Sequence, residues 1–88
     1  MTERQRAELQ FYKGFGFRYL AKDCYSRVYA FKRKPISDCG VWISRTDDDD
    51  DCELVSNDFE IYKLVKDWDY NKSDKNEPTK ISQLSRDK

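Results

Sequence analysis

The chain contains no histidine, only three glycines and two prolines, and no long apolar run. Without histidine it lacks the commonest proton carrier near neutral pH, and with it every Ser/His and Cys/His nucleophile pair. Gly14, Gly16 and Gly40 match no phosphate-cradling loop spacing. A carboxylate pair could still do acid–base work, but one member would need an apolar pocket to raise its pKa. The acids of this chain cluster in a polar stretch instead, so the expectation is a protein that is not an enzyme. A spanning helix needs roughly 20 apolar residues, and none is available; no apolar signal region follows the N-terminus either. No membrane partner is expected, and the expected location is the cytoplasm.

Cysteine is sparse and odd in number. Cys24, Cys39 and Cys52 include no Cys-x-x-Cys pair, which suits a reducing compartment better than a disulfide framework. The bland reading is three thiols serving as small hydrophobes. The alternative is zinc. If the strands form an up-and-down meander, Cys24 and Cys52 fall at one end of the sheet beside Asp23, and Cys39 at the other. Closed zinc sites usually take four N/S ligands, so no cofactor is the primary expectation and zinc the alternative. Asp47-x-Asp49-x-Asp51 imitates part of a calcium loop, but its sixth position is Cys52, where that loop needs glycine.

What the 88 residues do have is charge and aromatic rings, at 39% and 15% of the chain. Net charge is zero, yet residues 1–46 carry ten Lys or Arg against four acids, an excess of +6, and residues 47–88 carry the balancing −6. Phe, Tyr and Trp each bury about 150–250 Å², so a short chain can build a core from few of them. That argues for one folded domain rather than disorder.

Thr2-Glu3-Arg4-Gln5 has capping-box spacing and opens a short helix that stops at Lys13-Gly14. Residues 17–22 and 27–32 alternate as two strands of a hairpin, and residues 41–44 form a third strand after the break at Lys34-Pro35. Residues 53–56 read as a short fourth strand. Residues 60–64 fit neither period cleanly and are read as a final strand, with a helical turn near residues 56–58. The expected fold is α+β: a short N-terminal helix packed on a mostly antiparallel four- or five-stranded sheet. Residues 1–70 form the domain, and residues 71–88 a polar, mobile tail with Ile81 and Leu84 as its only apolar anchors.

The most informative stretch is Asp47, Asp48, Asp49, Asp50 and Asp51, continued by Glu53, Asp58 and Glu60 with no Lys or Arg among them. Five adjacent carboxylates repel one another and demand solvent, so they form a loop. One use is solubility. The other is contact, because a compact acidic surface imitates the phosphates of duplex DNA, about one charge per 1.7 Å. The expected partner is a protein with a basic nucleic-acid-binding surface. Lys32-Arg33-Lys34, with Arg27 and Tyr29, offers a competing reading as a nucleic-acid contact. Tyr29 and Phe31 share one strand face, which suits core, and overall neutrality disfavours direct nucleic-acid binding.

The order Phe17-Arg18-Tyr19-Leu20-Ala21-Lys22-Asp23, Tyr29-Ala30-Phe31, Lys34-Pro35, Gly40-Val41-Trp42 and Glu77-Pro78-Thr79-Lys80-Ile81 resembles small early-region proteins of bacteriophages of Gram-positive bacteria. The resemblance covers most of residues 17–81; the N-terminal helix and the aspartate run lie outside it. It implies a short phage protein acting in the host cell. That set overlaps in size and charge with inhibitors of host defence, including anti-CRISPR proteins directed at Cas9-type effectors.

Overall fold

Thr2 caps the first helix as the sequence predicts. Its hydroxyl accepts a hydrogen bond from the Gln5 backbone N–H at 3.1 Å, and the Gln5 side-chain oxygen accepts from the Thr2 N–H at 2.9 Å. The helix, α1, runs Glu3–Gly14 and buries Gln5, Leu9 and Tyr12. Gly16, at φ +92°, reverses the chain into the sheet. The structure is a computed structural model that describes residues 2–45, 51–72 and 75–84.

Among the described residues the strands are β1 (Tyr19–Lys22), β2 (Val28–Phe31), β3 (Ile36–Asp38), β4 (Val41–Ile43), β5 (Cys52–Val55) and β6 (Thr79–Lys80). A 3-10 helix spans Glu60–Leu64, and a last turn of helix, α2, spans Ile81–Leu84. One sheet has the order β5-β2-β1-β6 with antiparallel neighbours throughout; β3 and β4 form a separate two-stranded sheet. The protein is therefore α+β.

Strand alternation sends side chains to both faces of the large sheet, and both faces are covered. Leu20, Val28, Ala30 and Val55 pack with Leu9 and Tyr12 of α1 and with Ile61, Val65 and Ile81. Tyr19, Ala21, Tyr29, Phe31 and Cys52 pack on the other side with Trp42 of β4 and with Trp68. The two indoles meet edge to face at 5.8 Å, and the Trp42 Nε1–H donates to the Lys22 carbonyl at 3.0 Å. Each fully buried Leu, Ile or Phe contributes about 1.5–3 kcal/mol, so two thin layers suffice for a domain of this size.

Three expectations change. The Trp42 strand does not continue the meander, because it pairs with β3, which the Pro35 break and the turn residues Ser37 to Gly40 conceal. β5 takes the place beside β2 instead. Residues 60–64 are a 3-10 helix rather than a strand; Ile61 and Val65 go into the core four residues apart, and the Ile61 N–H donates to Glu8 Oε1 at 2.9 Å. The stretch read as a tail includes an edge strand: Tyr19 pairs with Lys80 and Leu20 with Thr79, and Ile81 is only 1% exposed. No helix among the described residues is long and apolar enough to cross a membrane.

Candidate functional site

Asp47, Asp48, Asp49 and Asp50 lie outside the described residues, and the described acids of the run are Asp51, Glu53, Asp58 and Glu60. Asp51 is the first correction. Expected in solvent with the rest of the run, it is only 6% exposed. Pairing of Cys52 with Phe31 brings the preceding residue beside the end of β2, where the Asp51 carbonyl accepts the Lys32 N–H at 2.9 Å. Its carboxylate lies 3.9 Å from Arg33 Nε. Asp51 belongs to the fold as well as to the acidic run.

Glu53 sits exposed on β5 at the sheet edge, on the side that α1 covers. Its charge is felt there: burial first, then Glu53 and Glu8, push the Tyr12 phenol above its ordinary pKa. Asp58 is exposed in the following turn, which is closed by Ser56 and held to the helix through Arg4, whose Nη2 donates to the Asp58 carbonyl at 3.1 Å. Glu60 is partly neutralised, with Lys63 at 3.2 Å and Arg4 at 3.9 Å. Glu8, which the sequence shows only as one more helix acid, ties these pieces together by accepting from both Arg4 and Ile61. The eight acids are thus unequal: Asp51 and Glu60 have cationic partners, and Glu53 and Asp58 form no ion pair with a described residue.

The alternative metal set is separated by the same topology. Cys52 opposes Phe31 at one end of β2, whereas Cys24 lies in the turn beyond the other end, between Lys22 and Val28. Cys24 instead meets the β3–β4 turn: its N–H donates to the Gly40 carbonyl at 2.9 Å, and its Sγ sits where a Gly40 side chain would have to go, 2.7 Å from an ideal Cβ. Asp23 is committed elsewhere. Only 1% exposed, its carboxylate accepts from the Tyr25 and Arg27 N–H groups at 2.9 Å and from Arg27 Nε at 3.0 Å, and so shapes the β1–β2 turn. Burial pushes the Cys52 thiol up, which disfavours the thiolate a metal needs. Among the described residues no group of three His, Cys, Asp or Glu comes together.

The basic stretch is also largely engaged. Arg27 pairs with Asp23, Arg33 with Asp51, and Lys34 with Glu77 at 3.3 Å. Tyr29 packs beside Phe31, as its position on the strand face predicts. No family model matches this chain, and no curated protein or solved structure shows a significant match to it.

Proposed function

We propose that this chain is a non-enzymatic, phage-type inhibitor that works in the host cytoplasm by binding a nucleic-acid-processing protein. An anti-CRISPR role against a Cas9-type effector is the specific form of that reading. The contact surface is Asp47, Asp48, Asp49 and Asp50 together with Glu53 and Asp58, with Glu60 and Asp51 contributing through the fold. One observation carries the reading: eight acids fall between residues 47 and 60 with no intervening Lys or Arg, and the run joins the core at the buried Asp51. Such a concentration of like charge opposes folding through self-repulsion and suits a partner that normally grips phosphates.

The test compares the parent with D47N/D48N/D49N/D50N, which leaves Asp51 in place. The parent is expected to co-elute with a purified Cas9-type nuclease at about 50 mM salt, to block its cleavage of a target duplex, and to release it at about 500 mM. The variant is expected to lose both effects at either salt. No association by the parent would remove the Cas9-type assignment. Equal association of parent and variant at both salts would remove the acidic surface as the contact.

A further inference from the structure

Some cations of this protein are ion-paired and others, three of which line one groove, are not. Lys22, Arg27, Arg33 and Lys34 each face a carboxylate within 4 Å, whereas Lys13, Arg18 and Lys80 form no ion pair with a described residue. Those three converge. They line one groove of about 550 Å³, together with Phe17 and Tyr19, where the end of α1 and the Gly16 turn meet the β1–β6 edge. The backbone fixes the convergence: Lys80 lies directly opposite Tyr19, and the Ile81 N–H donates to the Arg18 carbonyl at 2.9 Å. Lys32 adds a fourth charge, with its ammonium 5.5 Å over the Phe17 ring and its stem against Gly16.

Beside the groove are rings that the core does not use. Phe11 and Phe15 are 54% and 62% exposed, and their ring centres lie 5.0 Å apart at the end of α1. Phe15 stands in the chain between the groove residues Lys13 and Gly16. Uncompensated cations flanked by open aromatic faces are what a single-stranded nucleic acid requires, for its phosphates and unstacked bases respectively. A duplex keeps its bases stacked and would leave the rings unused. The neutrality of the whole chain does not cancel this local field. From acidic β5, Lys80 lies three strand spacings away and Arg18 two, roughly 14 and 10 Å, both beyond the ~8 Å screening length of physiological salt, whereas Lys32 follows β2 beside Asp51.

We propose that this groove binds single-stranded nucleic acid, with Lys13, Arg18 and Lys80 at its phosphates and Phe15 against a base. The proposal is independent of the acidic contact. It is tested by fluorescence anisotropy of labelled mixed-sequence single-stranded DNA and RNA with the full chain. Binding at about 50 mM salt should weaken with log salt at a slope near −2, about 0.7 for each of three phosphates. K13Q/R18Q/K80Q should abolish that binding while keeping the parent's circular dichroism, and F15A should weaken it about 5- to 10-fold with the slope unchanged. K63Q, which removes a cation outside the groove, should bind as the parent does. A parent that ignores both oligonucleotides, or that binds only anionic phospholipid vesicles, overturns the proposal. So does a triple variant that binds like the parent.

Discussion

The two edges of the four-stranded sheet end in opposite charge, and they are built differently. At the β5 edge, Asp51 is buried and Glu53 stands exposed on the strand itself. At the β6 edge, Lys80 joins Lys13 and Arg18, which come from the far end of the sequence, around one groove. The first pole is local in sequence and the second is assembled by topology. Charge order along a chain therefore does not map directly onto its surface: Lys80 belongs to the acidic half of the sequence and to the basic edge of the fold.

The largest expected effect is at the assembled edge. Ile81→Ala, at a fully buried site, should cost about 2–4 kcal/mol in urea unfolding, a large share of the stability of so small a domain. An unchanged midpoint would mean that residues 79–84 are not held in the fold, and the basic pole would dissolve with them. At the local edge two parts of one run should behave differently. Asp51→Ala should cost about 1–3 kcal/mol, because it strips a buried acceptor near Arg33, whereas D47N/D48N/D49N/D50N removes like charges and should not destabilise. Equal losses in the two proteins would erase the distinction between Asp51 and the acids that precede it.

The smallest effect lies between the poles. Hydrogen bonding to Lys22 at 2.8 Å, and then its charge, hold the Asp67 carboxyl below its ordinary pKa. A depressed folded pKa contributes stability above the ordinary aspartate range, near pH 4, and loses it as pH falls through the lower folded value. Asp67 is open to solvent, so the gap between the parent and D67N should be slight at pH 7 and close in acid. A gap that persists at pH 2 would contradict the Lys22 contact.

The helix, its capping box and the β1–β2 hairpin were readable because each is specified by neighbours in sequence: Thr2 with Gln5, and alternation on either side of Asp23. The α+β class followed from them. The partner of β2 was not readable, because both β4 and β5 alternate well enough to fill that place, and what separates them is non-local: β4 pairs with β3, and Trp42 packs on Trp68 and bonds the Lys22 carbonyl. That substitution also undid the expected meeting of Cys24 with Cys52. β6 was hidden by its length, since two residues carry almost no periodic signal, although Thr79-Lys80-Ile81 after Pro78 does alternate. With β6 went the groove. The acidic run was plain in the sequence, but the burial of Asp51 was not, because it depends on the register of the strand that follows.

If the two poles are separate binding surfaces, one paired titration can tell them apart. A labelled single-stranded oligonucleotide and a lysine homopeptide are each titrated with the parent, K13Q/R18Q/K80Q and D47N/D48N/D49N/D50N at low salt. The first variant should lose the oligonucleotide and keep the peptide, and the second should do the reverse. Loss of both probes by either variant, or of neither by both, would contradict that separation.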